Sequence, residues 1–323
     1  MKLARRSLLR LAASTCVLGT FPRFAQALDY PKRPVRMIVG FPAASGPDIV
    51  ARLLGERLSD RLGQQFTTEN RPGAGSSIAA ETVVKAPPDG YTLFMATAAN
   101  TINTSLYPNL SFDFARDLAP VAVITATPFV LIVNPSFPPK TVAEFISYAK
   151  AHPAKINFAS PGIGTSPHLA IELLRMMAGV DVVHVPYRGS YVSDLIAGQV
   201  NAAFSTVAQA IEYIKAGKVR AIAIGGAARA AALPDVPTVA ETLPGFDTDG
   251  WFGLVAPKAT PAEIVNTLNM QCNAIVAEPK LKAQLVSLGT PPQSLTPAEF
   301  ANLIANYTEK WAKVIKFAGV KPS

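Results

Sequence analysis

Short apolar runs, loops rich in Gly, Pro and Ser, and segments of helical period follow one another in that order along nearly the whole chain. This alternation constrains the fold more than any other feature, because strand, short loop and helix in repetition mark an α/β architecture. The pattern predicts a strand at 35–39, a loop at 41–47, and a helix with apolar Ile49, Val50, Leu53, Leu54, Leu58 and Leu62, stopped by Gly63. The unit recurs with strands at 66–68 and 91–95, a helix at 77–85 and a loop at 97–100. A second series begins near Pro128, with strands at 130–133, 156–159, 182–185, 202–204 and 219–224. Its helices are expected at 141–149 and 167–177, with two more ending at Gly198 and Ala216. After Trp251 come a strand at 252–256 and helices near 261–277, 279–288 and 297–316. The layout predicts one lobe from 28–127 plus 250–323, an inserted lobe from 128–249, and a ligand cleft between them.

Composition removes several classes of function. The chain is 323 residues long, 49% apolar and 16% charged, against about 25% charged in an average soluble chain. Disorder needs the opposite balance, and no apolar run approaches the roughly 18 residues of a membrane-spanning helix. The net charge of +8 suggests a nucleic-acid partner only until it is located. Of 30 Lys and Arg, five (Lys2, Arg5, Arg6, Arg10, Arg23) fall in residues 1–27, leaving 25 against 22 Asp and Glu. A nearly neutral body with dispersed basic residues implies no nucleic acid. Three His and two Cys without close spacing imply no metal site.

Residues 1–27 have the parts of an export signal: a basic start, an apolar stretch and the cleavage pattern Ala25-Gln26-Ala27. Arg5-Arg6 leaves twin-arginine and general secretion both open. Cys16 lacks the Leu that usually stands three residues before a lipoprotein acceptor, so a soluble periplasmic product is expected. Cleavage after Ala27 leaves one cysteine, Cys272, which sits in a helical pattern and reads as packing.

Two loops share a design that suits an anion. Ala44-Ser45-Gly46 and Gly162-Ile163-Gly164-Thr165-Ser166 each lie between a strand and a helix start, where small residues admit a ligand and first-turn N–H groups attract negative charge. Asp48 reads first as an acid satisfying N–H groups at its helix start. Thr165 and Ser166 can cap the helix or meet a carboxylate, with Ser166 the expected cap because Pro167 follows it. Neither loop matches a Walker or dinucleotide motif, so no nucleotide cofactor is implied. A hydrolase is disfavoured too: there is no G-x-S-x-G elbow, and no pair of carboxylates at catalytic spacing. His168 reads as a first-turn residue and His184 as an interior histidine.

With the leader and the motifs at 41–48, 70–75, 88–93, 184–189 and 198–200, the chain resembles the periplasmic receptors of tripartite tricarboxylate transporters, also called Bug receptors. The resemblance implies a two-lobed, type II-like periplasmic binding protein without catalytic activity or cofactor. Its partners would be a small organic carboxylate (dicarboxylate, tricarboxylate or aromatic acid) and the membrane permease subunits, with the receptor acting as a monomer. Carried over by position, the first-lobe ligand residues are Phe41, Ala44, Ser45, Gly46 and Asp48, with Thr97, Ala98 and Asn100. The second-lobe residues are Gly164, Thr165, Ser166 and His168, with Tyr187, Gly189 and Ser205. In the first loop, Ala44-Ser45 and Pro47 depart from the family's usual Pro-Gly-Gly pattern, removing backbone freedom and one N–H donor. The rival roles are a ligand-sensing receptor for a membrane sensor and, further off, a secreted α/β hydrolase.

Overall fold

The computed structural model describes residues 30–107, 110–187 and 190–321. The first run of elements is β1 (Val35–Val39), α1 (Gly46–Leu62), β2 (Phe66–Asn70), α2 (Ser77–Val84), β3 (Thr92–Thr97), α3 (Ala98–Leu106), α4 (Phe114–Asp117) and β4 (Leu118–Thr127). The second is β5 (Phe129–Val133), α5 (Val142–Ala151), β6 (Asn157–Ser160), α6 (Ser166–Ala178), β7 (Val183–Pro186), α7 (Val192–Ala197), β8 (Ala202–Thr206), α8 (Val207–Lys215) and β9 (Arg220–Ile224). The chain ends with β10 (Gly250–Pro257), α9 (Ala262–Val276), α10 (Pro279–Ser287) and α11 (Pro297–Ala318).

The strands form two five-stranded mixed sheets, β2-β1-β3-β10-β4 and β7-β6-β8-β5-β9. These orders are the same topology used twice. β1 and β6 take the same place, each parallel to both of its neighbours. β10 and β5 are the antiparallel strands, each paired on both sides. In each sheet that antiparallel strand is the one that directly follows a crossing, which is what ties the two lobes together.

The crossings meet at one point. Pro128 alone separates β4 from β5, and lacking an N–H it ends one ladder where the other begins. Beside it the Gly225 N–H donates to the Phe129 carbonyl at 2.7 Å, and Gly250 pairs with Thr127.

Each sheet is covered on both faces. On one side of the first sheet lie Val50, Leu54 and Leu58 of α1 with Leu268, Cys272 and Ile275 of α9. Cys272 is fully buried, and burial pushes its thiol up to about 12, so it packs as a small apolar residue.

Three elements escaped the sequence pattern: the one-turn α4, β4 and α3. β4, ten residues long, contains Pro120 and several alanines, which are poor strand formers in isolation; pairing along β10 decides it. The start of α3 was expected as part of a loop at 97–100 and the rest went unassigned, because Ala98–Leu106 is mostly polar and small, with Ile102 and Leu106 its only large apolar residues. Both are buried against the second sheet's core.

α11 also serves both sheets. Phe300 and Ile304 pack with Phe94 and Trp251, whereas Trp311, Val314 and Ile315 pack with Phe158, Leu169 and Leu173. Its 22 residues give a rod of roughly 33 Å at about 1.5 Å per residue, enough to span the junction. Trp311 is 1% exposed. Replacing it by Ala is expected to cost about 3–5 kcal/mol in urea unfolding, the range for a buried aromatic, although the residue lies beyond both sheets in sequence.

Candidate ligand-binding site

The two anion loops follow the topologically equivalent strands β1 and β6, and they are built alike. Ala44 and Gly164 are both left-handed, at φ 62° and 77°. The next residue is the N-cap in each, Ser45 or Thr165, and its hydroxyl donates backward to a carbonyl: Ser45 Oγ to Pro42 O at 2.6 Å, Thr165 Oγ1 to Gly162 O at 2.8 Å. A small residue, Gly46 or Ser166, opens the helix and a proline follows. The third helical residue then reaches back to the left-handed amide. Asp48 Oδ2 accepts the Ala44 N–H at 2.8 Å, and His168 Nδ1 accepts the Gly164 N–H at 3.0 Å.

This geometry decides which backbone donors stay unpaired. First-turn N–H groups have no intrahelical acceptor. The Ala44 and Gly164 amides are consumed by Asp48 and His168, Pro47 and Pro167 have none, and the His168 N–H meets Thr165 Oγ1 at 3.5 Å. Among the described residues, Gly46 and Asp48 therefore keep free N–H groups on α1, and Ser166 keeps one on α6. The Ser166 hydroxyl makes no hydrogen bond among the described residues. Sequence position suggested Ser166 as the cap; instead Thr165 is the cap, because its extended backbone precedes the first helical residue.

Asp48 is 2% exposed and works inside the protein. Besides the Ala44 amide it accepts from Arg52 Nε at 3.0 Å and Asn70 Nδ2 at 2.8 Å. Burial opposes its charge, but the bonds from Arg52, Asn70 and Ala44 outweigh it and hold the carboxyl below its usual range. It caps the loop, and not the helix N–H groups as the sequence suggested. Asn70 also donates to the Phe41 carbonyl at 2.9 Å, so the end of β2 fixes both ends of the first loop. Asn70 and Arg52 were not among the expected residues. The signal was their place: Asn70 ends the strand beside β1, and Arg52 lies one turn beyond Asp48.

The remaining expected residues fall into two groups around these loops. The Phe41 ring is half-buried against the α1 core. Thr97 is the N-cap of α3, with its N–H donating to Asn100 Oδ1 at 2.8 Å; Ala98 and Asn100 lie in the first turn, not in a loop. Phe252 joins this group to the first loop, since it pairs with Thr97 and its ring would stand 3.3 Å from a Cβ on Gly46. Gly164 touches the first lobe directly: Leu106 of α3 occupies the space a Cβ would need, at 2.2 Å. Tyr187 donates its hydroxyl to Asp194 at 2.8 Å; burial and that carboxylate raise its pKa. Ser205 is 1% exposed and bonded to Gln209. Gly189 lies outside the described residues, as does the leader.

Behind the second loop is a polar cluster. The rings of His168 and His184 stack with centroids 3.8 Å apart. His184 Nε2 is 2.6 Å from Ser160 Oγ, which accepts the Gly162 N–H at 3.1 Å. His168 Nε2 faces Glu172 at 3.6 Å, and Arg175 binds the other Glu172 oxygen at 2.8 Å.

The family model for "Tripartite tricarboxylate transporter family receptor" matches residues 50–320. The chain belongs to that family. A solved structure described as a periplasmic transporter is 37% identical, with TM-score 0.82, covering 91% of this chain and all of the other. The R. palustris protein Rpa4515, solved with adipate, is 35% identical with TM-score 0.83, covering 91% of this chain and all of that one. MatC from Rhodopseudomonas palustris, solved with bound malate, is 33% identical with TM-score 0.78, covering 88% and 100%. The protein is thus a periplasmic receptor that binds small organic acids for a tripartite tricarboxylate-type transporter, and not an enzyme.

Two stability predictions follow from the geometry. Thr165→Ala removes the α6 cap and is expected to cost about 0.5–2 kcal/mol in urea unfolding, whereas Ser166→Ala leaves stability nearly unchanged. Burial, then the neighbouring His168, lower the His184 pKa to about 4. Between about 4 and its ordinary value near 6.5 the unfolded chain binds a proton that the folded one refuses, so acid destabilises the fold in that window. Unliganded protein is expected to lose stability steadily from pH 6.5 to 4, and His184→Gln to lose that part of the slope.

Proposed function

We propose that the receptor takes a short aliphatic dicarboxylate and holds one carboxylate between the N-termini of α1 and α6. The observation that carries this reading is the duplicated loop, one copy per sheet, leaving N–H donors at Gly46, Asp48 and Ser166 and a hydroxyl at Ser166. Neither 41–48 nor 160–168 contains Lys or Arg, so the anion is met by helix dipoles and neutral donors. The adipate and malate in related structures support an aliphatic diacid over a tricarboxylate or an aromatic acid. Closure of the lobes strengthens these bonds by excluding water, and the loaded monomer passes its cargo to the membrane permease subunits.

Calorimetry against adipate, malate, citrate and benzoate tests the ligand class; an aliphatic diacid is expected to bind best. Its diamide should bind at least about tenfold more weakly, or about 1.4 kcal/mol. Equal affinity for acid and amide would falsify the carboxylate reading. Ser166→Ala is expected to lose about fivefold or more in affinity, while Thr165→Ala loses mainly stability.

The leader is cleaved after Ala27 and the receptor is released unanchored. Intact-mass analysis of periplasmic protein should find a chain starting at Leu28, and a diacylglyceryl product starting at Cys16 would overturn this.

A further inference from the structure

His168 reaches its buried position with no hydrogen available at Nδ1, because that nitrogen accepts the Gly164 N–H at 3.0 Å. Its proton is therefore on Nε2, facing Glu172 at 3.6 Å. A second proton would put two N–H groups head to head at Nδ1. The Gly164 amide would then lose its only bond among the described residues, and the loop would lose the tie that sets the direction of the Ser166 donors. The first lobe makes the same tie with Asp48, whose carboxylate remains an acceptor through the physiological range. The two loops therefore share a geometry but differ in what acid does to them.

We propose that His168 is the positioning residue of the second anion loop and that its protonation loosens that loop, making capture of the carboxylate sensitive to acid in one lobe only. This rests on the ligand assignment above for its consequence, though not for the loop motion itself. His184 braces the arrangement from β7, stacking on His168 and holding Ser160, which in turn holds the Gly162 N–H. A charge on either ring would repel a charge on the other across 3.8 Å. The other charged groups facing the pair are Glu172, which favours the protonated form, and Arg175, which opposes it and is itself shared with Asp181 at 3.7 Å. α3 and α11 pack on this region through Leu106, Trp311 and Val314, which add no charge.

Asn is the informative substitution, since its Oδ1 stands where His Nδ1 does and accepts a bond without titrating. Amide hydrogen exchange of unliganded protein reads the tie directly, once rates are normalised for the intrinsic effect of pH. Gly164 protection in the wild type is expected to fall about tenfold or more between pH 7.5 and 5.0. His168→Ala should exchange rapidly at both values, and His168→Asn should restore protection and keep it at both. Malate and adipate affinities, measured by calorimetry at the same two pH values, should fall for the wild type more than for His168→Asn. Equal pH dependence of Gly164 protection in wild type and His168→Asn would overturn the proposal, as would unchanged protection in His168→Ala. If protection behaves as expected but neither acid binds at either pH, the ligand reading fails and the loop assignment stands.

Discussion

Everything at the site depends on a backbone amide that cannot be satisfied by its own helix. A left-handed residue just before a helix start turns its N–H away from the helix, and left unpaired it would cost more than a typical hydrogen bond returns. Each lobe answers with the third residue of the following helix, Asp48 or His168. That bond fixes the loop and at the same time commits one donor, so that amide is no longer open to another acceptor. Proline at the second helical position removes a further donor in each loop. What is left is sparse and therefore directional: two amides in one lobe, an amide and a hydroxyl in the other.

The two loops are equivalent because the two sheets are. β1 and β6 occupy the same place in matching strand orders, and each is followed by the loop that faces outward from its carboxyl end. Exchange of β5 and β10 across the junction makes neither sheet complete without a strand delivered by a crossing. α3 and α11 then bridge the lobes with apolar side chains: Leu106 against Gly164, and Trp311 and Val314 beside Leu169 and Leu173. The halves are therefore joined by a single residue at Pro128 and by packed apolar side chains along α11.

Chemistry differs between the halves where topology does not. Asp48 is surrounded by donors from Arg52 and Asn70, and stays charged. His168 is backed by a second histidine, a buried glutamate and an arginine, and must stay neutral at Nδ1 to do the same work. Burial sets these demands. In water neither side chain would prefer one partner so strongly.

The residues alone determined the α/β alternation, most strand and helix positions, and the two small-residue loops, because these follow from local periodicity, turn chemistry and caps. The family was legible for the same reason: its motifs are short segments at the ends of strands and helices, and each is written contiguously. Four things were decided only by tertiary structure. β4 exists because β10 lies beside it, although Pro120 and its alanines argue locally against a strand. α3 exists because Ile102 and Leu106 find the core of the other sheet, which no window of nine mostly polar residues could signal. The roles of Thr165 and Ser166 were settled by one residue of register, since either hydroxyl can cap and only the backbone conformation selects which one does. Likewise the partners of Asp48 and His168 were decided only when Ala44 and Gly164 turned left-handed and gave each an amide to hold. Sequence specifies which groups are available within a few residues; which of them become partners depends on how distant strands and helices pack.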